Sequence, residues 1–151
     1  GELAPTLVGL AAIAAHGTGA GNGQPSRITG IGHIRQHETD RIAALVAEIT
    51  GLGGRAEELE DGIAIHPSTL HGGLWRSYED HRMATTGALL GLAIPGVRVD
   101  DIDCTAKTLP QFAQLWARML GIAPAGGASA DLSAGGGIAV TGLMSGLLEG
   151  L

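Results

Sequence analysis

"HETDRIAALVAEITGLGGRAEELEDGIAIHP", residues 37–67, carries two periodicities back to back. Ile42, Leu45, Val46, Ile49 and Leu52 recur three or four residues apart, which puts them on one face of a helix. "GLGG" at 51–54 ends that helix, since successive glycines give up too much backbone freedom to extend it. "RAEELEDGIAIHP" then folds back on itself as a β-hairpin with Asp61 and Gly62 at the turn. A helix feeding directly into strands predicts an α/β domain.

Upstream, Pro5 at a first helical position and Gly17 just past the end bracket a helix over about residues 5–16. It is apolar on nearly every side, which predicts a buried helix; "PTLVGLAAIAA" is far short of the roughly 20 residues of a membrane span. "GTGAGNGQP" is a loop, and its glycines follow a helix and precede a strand, the reverse of a dinucleotide fingerprint. "SRITGIGHI", 26–34, alternates and reads as a strand. Downstream, residues 67–79 read as a loop and "DHRMATTGALLGL" as a third helix. "VRVDDI" is a strand, "DCTAKTLP" a connection, and Pro110 opens a last helix with Phe112, Leu115, Trp116, Met119 and Leu120. The predicted order is α β α ββ α β α. Residues 122–151 hold eight glycines, no basic residue and no aromatic, and read as a Gly-rich, flexible tail that packs weakly at most.

The 151 residues, 44% hydrophobic but only 3% aromatic, suit one domain with a core of Ala, Leu, Ile and Val. Nine basic residues and a net charge of −6 leave no clustered basic footprint, so nucleic acid is not an expected partner; neither is a membrane. One cysteine, Cys104, excludes an internal disulfide and a Cys-rich zinc site and reads as a small buried residue. No basic region precedes an apolar stretch at Gly1–Leu3, so the expected location is the cytoplasm.

The cations are placed oddly. Arg41 lies in the first turn of the second helix, Arg82 at the start of the third, and Lys107, the only lysine, shortly before the last. A cation at a helix N-terminus opposes the backbone dipole, whereas an anion is favoured there. Three such cations, if they converge, form a pocket for a compact ligand carrying phosphate and carboxylate together. The alternative is local pairing: Asp40 or Glu38 for Arg41, Asp80 or Glu79 for Arg82, Asp103 for Lys107. His33 and His37 are four apart but straddle a strand end and a helix start, so they do not make a metal pair, and no metal site is expected. His81 is open between a helix cap, a core residue and an acid/base group.

"GIGHIRQHETDRIAALVAEITGLGG", "EELEDGIAIHP", "YEDHRMATTGALLGL" and "CTAKTLPQFAQLW", in this order and spacing, closely resemble the C-terminal part of the 5-enolpyruvylshikimate-3-phosphate synthase family, in its actinobacterial form. The resemblance covers residues 1–121, a partial C-terminal lobe. It implies a fold of two lobes of repeated β and α units, an inside-out α/β barrel with helix N-termini aimed at a cleft. It implies transfer of the enolpyruvyl group of phosphoenolpyruvate to the 5-hydroxyl of shikimate 3-phosphate, in aromatic amino acid biosynthesis, without cofactor. It carries phosphoenolpyruvate binding onto Arg41, Arg82 and Lys107, deprotonation of the shikimate hydroxyl onto Glu2, and acid/base work near the reacting methylene onto Glu38. His37 stands where the family usually has Lys, and His33 where many members have Asn; with His81 they join the candidate site. The lobe that supplies most shikimate 3-phosphate contacts is missing from the matched region, and the first helix has no preceding strand. The missing N-terminal lobe is therefore an expected partner. The alternative is an inactive fragment or a non-catalytic anion-binding remnant.

Overall fold

The computed structural model describes residues 1–17, 23–121 and 138–139. The helices are α1 (Ala4–Ala15), α2 (Arg41–Gly51), α3 (His81–Ala93) and α4 (Phe112–Met119). The strands are β1 (Ser26–Thr29), β2 (Arg55–Leu59), β3 (Gly62–His66), β4 (Gly73–Trp75), β5 (Val97–Val99) and β6 (Ile138–Ala139). β3 runs antiparallel to β1 on one side and to β2 on the other. β4 pairs in parallel with β5 across α3, a βαβ unit, and β6 pairs antiparallel with β5. The α/β class stands.

One core joins these pieces. α1 packs on α3 and β3, while α2 lies over β2, β3 and β4. Ile42, Leu45, Ile49 and Leu52 are buried as their spacing predicts, against Ile63, Ile65 and Leu70 in the same cluster. Trp75 is fully buried and its indole N–H donates to the Met83 carbonyl at 2.8 Å, locking the end of β4 to the first turns of α3. Gly87 faces that ring closely enough that a Cβ would lie 2.5 Å from Trp75 Cδ1, so glycine is what lets α3 approach.

The structure corrects several expectations. α1 is buried on one face only: Ala4, Val8, Ala12 and Ala15 face the core, while Leu3 is 68% exposed and Leu7 and Leu10 lie half out, because nothing among the described residues packs on its outer side. The strand expected over 26–34 stops at Thr29. Gly30 takes φ +76°, Asp61 accepts from the Gly30 and Gly32 N–H groups at 3.1 and 2.7 Å, and the chain coils into a 3₁₀ helix, Gly32–Gln36. Residues 67–79 hold β4, too short to show a period. Only Val97–Val99 of "VRVDDI" is strand, and "DCTAKTLP" holds a 3₁₀ helix, Asp103–Lys107. α4 begins two residues after Pro110, with Gln111 as its cap residue. Lys107 thus ends a 3₁₀ helix and does not sit at the mouth of α4. Of the tail, only Ile138–Ala139 are described; the rest of that expectation lies outside the described residues. No helix among them is long and apolar enough to cross a membrane.

Candidate functional site

Two aspartates build the site by starting two helices. Asp40 caps α2, its Oδ1 accepting from the Ile42 and Ala43 N–H groups at 3.1 and 3.0 Å. Asp80 caps α3, accepting from Arg82 at 2.8 Å and from Met83 at 3.4 Å. Such caps satisfy N–H groups that the helix itself cannot. Asp80 also binds the guanidinium at the other mouth: its Oδ2 accepts from Arg41 Nε at 2.7 Å and its Oδ1 from Arg41 Nη2 at 3.2 Å. Arg41 is 1% exposed and Asp80 0%, so the fork is a desolvated, two-toothed ion pair joining the starts of α2 and α3.

From Arg41 the charges alternate outward. Nη2 also donates to Glu38 Oε2 at 3.1 Å, and Glu38 Oε1 accepts from Lys107 Nζ at 3.0 Å. On the other side Arg41 Nη1 lies 3.6 Å from Glu2 Oε1, and Glu2 Oε2 accepts from Arg82 Nε at 2.8 Å. The order is Lys107, Glu38, Arg41, Glu2, Arg82, so the three cations do converge, through two carboxylates. None uses the partner that local pairing alone would choose except Arg41 with Glu38. Arg41 Nη1 is buried and makes no hydrogen bond among the described residues. Arg82 and Lys107 are reachable, with side chains 33% and 62% exposed.

The fields follow. The Lys107 hydrogen bond, a backbone hydrogen bond and the charges of Lys107 and Arg41 hold the Glu38 carboxyl down at about 2, overcoming the upward pull of its partial burial. Partial burial pulls Glu2 upward as well. The hydrogen bond and charge of Arg82, with the charges of Arg41 and His37, outweigh it and leave Glu2 below the ordinary carboxylate range. Burial works against the charge on Arg41, but the Asp80 bond and the acids around it raise its value further, so it stays a cation. Both glutamates are therefore ionised anions seated among the cations.

The histidines divide. The His33 and His37 rings meet edge to face at 6.4 Å, and His33 lies against Gly1, so both border the Glu2 side of the cluster. His81 is buried as the first residue of α3, its Nδ1 without a hydrogen-bond partner among the described residues, and no hydrogen bond joins it to the charge cluster. Among the described residues no three His, Cys, Asp or Glu side chains are grouped to hold a metal. The Cys104 thiol is pushed up to about 11 by burial and by Asp101, and its Sγ contacts the Asp101 carbonyl at 3.1 Å, which makes it a poor nucleophile.

Sequence reasoning missed the double duty of Asp80 and the turn that delivers it. Ser77 to Asp80 closes through an Asp80 N–H to Ser77 carbonyl bond of 2.9 Å, with Tyr78 and Glu79 at φ 56° and 55°. Two successive positive φ values mark a type I′ turn, which ordinarily takes Asn or Gly; for side chains such as these the left-handed region costs about 1–2 kcal/mol each. The turn is held from outside. Asp100 accepts from the Ser77 N–H at 2.9 Å, and Glu48, buried on α2, accepts from the Arg76 N–H at 2.9 Å and the Tyr78 hydroxyl at 2.7 Å. A carboxylate on a core-facing helical position was the signal available for Glu48.

Residues 1–116 match the family model described as EPSP synthase (3-phosphoshikimate 1-carboxyvinyltransferase). A 3-phosphoshikimate 1-carboxyvinyltransferase of Kocuria rhizophila is 55% identical over 121 residues, which cover 80% of this chain and 25% of that protein. Among solved structures, an EPSP synthase from Acinetobacter baumannii superposes with a TM-score of 0.63 at 26% identity, over 76% of this chain and 26% of that one. A second structure of EPSP synthase from the same organism gives 0.61 at 24% identity, over 76% and 25%. The chain spans about a quarter of the length of the relatives it matches.

Proposed function

Because the chain belongs to the EPSP synthase family, we propose that Arg41, Arg82 and Lys107 hold phosphoenolpyruvate, and that residues 1–121 supply this half of a cleft whose other half binds shikimate 3-phosphate. The observation that carries the reading is the convergence of the three cations, from distant parts of the chain, on two ionised carboxylates. Phosphate and carboxylate of the ligand replace Glu2 and Glu38 as partners of Arg82 and Lys107, while Arg41, fixed by Asp80, keeps its place.

The freed carboxylates then have work to do. Glu2 takes the proton of the shikimate 5-hydroxyl as its oxygen attacks C2 of the enol phosphate, and C3 is protonated. C3 takes its proton from solvent, and Glu38, ionised beside the methyl group so formed, accepts a proton back from it as phosphate departs. The products balance as the enolpyruvyl ether and inorganic phosphate. His37, beside Glu2, moves protons where the family usually has a lysine, and His33 and His81 line the same half. The cations stabilise charge on the phosphate and carboxylate while the acids move protons, a joining of electrostatic and acid/base catalysis. No metal or organic cofactor enters this scheme.

The chain spans about a quarter of the relatives' length, and on this reading most contacts for shikimate 3-phosphate lie outside residues 1–121. The chain alone is expected to bind phosphoenolpyruvate and to release no phosphate with both substrates; turnover is expected when the other lobe is added as a separate chain. A phosphorus NMR titration of phosphoenolpyruvate tests the pocket. Arg82→Lys keeps the charge and loses the planar fork, and should weaken binding on the order of tenfold to a hundredfold. Arg27→Lys, on exposed β1, is the control and should change nothing. Equal affinities for wild type and Arg82→Lys would remove Arg82 from the site, and turnover by the chain alone would overturn the half-cleft.

A further inference from the structure

Arg41 can serve as a fixed point only if Asp80 is fixed, and Asp80 stands at the end of a turn that its own residues disfavour. Tyr78 and Glu79 both hold left-handed backbone just before it. Neither has the side chain that such a turn selects. Something outside the turn must therefore choose the conformation.

Arg41 and Glu48 are seven residues apart on α2, two turns along one face. That face meets the same loop twice. Arg41 binds Asp80 at the loop's end, and Glu48 binds the Arg76 N–H and the Tyr78 hydroxyl at its start. The Glu48 side chain is buried, and its two oxygens are used on two different residues of the loop. Asp100, from beyond β5, accepts from the Ser77 N–H of the turn and makes no hydrogen bond to α2 among the described residues.

We propose that Glu48 is a positioning residue for the anion pocket: by gripping Arg76 and Tyr78 it holds the turn left-handed and so sets Asp80 against Arg41. Burial raises the Tyr78 phenol and the bond to Glu48 raises it further, which keeps the hydroxyl protonated and available as the donor. The assignment rests on the proposed role of Arg41 in binding phosphoenolpyruvate, but its test does not.

The test uses hydrogen exchange of the Arg41 Nε–H in the full, isotopically labelled chain, read against the Ile42 and Ala43 amides, which Asp40 caps independently. Glu48→Ala should speed Arg41 exchange on the order of tenfold relative to those amides. Glu48→Gln keeps one oxygen for the Arg76 N–H and offers its amide to the Tyr78 oxygen, so it should restore most of the protection. Tyr78→Phe should give a smaller rise, about twofold to threefold. Unchanged Arg41 exchange in folded Glu48→Ala, or a rise that the capped amides share in proportion, would overturn the proposal. Should Glu48→Ala not fold, unchanged exchange in Tyr78→Phe overturns it instead. Absence of phosphoenolpyruvate binding by the wild type would count against the pocket and leave the exchange result standing.

Discussion

The mouths of α2 and α3 are written almost alike: an aspartate caps each helix and an arginine follows. In "TDRI" the arginine comes directly after the cap; in "EDHRM" one residue intervenes. Arg41, at the first helical position, turns into the protein and is buried against Asp80. Arg82, at the second, stays a third exposed and is held, among the described residues, by Glu2, itself about half in solvent. One step around the helix, about 100°, separates the two directions. The difference is between a fixed cation and an available one. Arg41 has a permanent buried counter-ion that no ligand can displace without stranding a charge. Arg82 has an anion that water can replace at little cost. The pocket we propose for a small dianion would use both: one cation to define where the ligand sits, and others that exchange partners as it arrives.

The largest effect that can break this comparison lies in the caps. Asp80→Ala removes the α3 cap and leaves the Arg41 guanidinium buried without its partner, and should cost about 3–5 kcal/mol in urea unfolding, the cost of breaking a buried pair. Asp40→Ala removes a cap and an ion pair with the half-buried Arg35, and should cost about 1–2 kcal/mol. Similar losses for the two variants would mean that the Asp80 and Arg41 fork contributes no more than an ordinary cap, and the fixed cation would not be fixed.

Acid titration gives a smaller effect. The folded value of Glu38, about 2, lies below its ordinary 4.5. A lowered carboxylate contributes stability that is present above the unfolded value and is lost as pH falls through the folded one. Wild type should therefore melt higher than Glu38→Gln at neutral pH, with the gap closing between about pH 4.5 and pH 2. Glu2 and Asp40 are also lowered and lose their contributions in overlapping windows, but they do so in both proteins and cancel from the difference. A gap independent of pH would show that Glu38 acts by packing and not as the anion between Lys107 and Arg41.

Much of the fold was legible because long periods are hard to mistake. α2 shows five apolar residues in phase, and the hairpin of β2 and β3 follows it, although its turn falls one residue earlier than expected, at Glu60 and Asp61, because Gly62 already pairs with Leu59 as the first residue of β3. β4 was not legible, since three residues show no period and its pairing with β5 is decided by α3 between them. Nor was the end of β1, which depends on Asp61, some thirty positions away, accepting from Gly30 and Gly32. The site divides in the same way. Arg41, Arg82, Lys107, Glu2 and Glu38 could be named from the sequence, and the structure brings them into contact. Their partners could not, because local charge favours neighbours while the fold joins Arg41 to Asp80 over 39 positions, Lys107 to Glu38 over 69 and Arg82 to Glu2 over 80.

The smallest expected effect comes from residues 122–151, which we propose are dispensable. Their glycines make ordering costly, and the described part, Ile138 and Ala139, pairs only with Val99 and Arg98 of β5. Removing them opens an edge whose backbone groups water can take over, so trimming after Gly121 should move the melting temperature by no more than about 2 °C. Where any loosening falls still bears on the two mouths. β5 leads directly into Asp100, which accepts from Ser77 in the turn before α3, whereas the Ile42 and Ala43 amides of the α2 mouth are capped by Asp40. Faster amide exchange at Arg82 and Met83, with Ile42 and Ala43 unchanged, is therefore the expected trace of trimming. Loss of more than about 5 °C would show that the tail packs on the shared core.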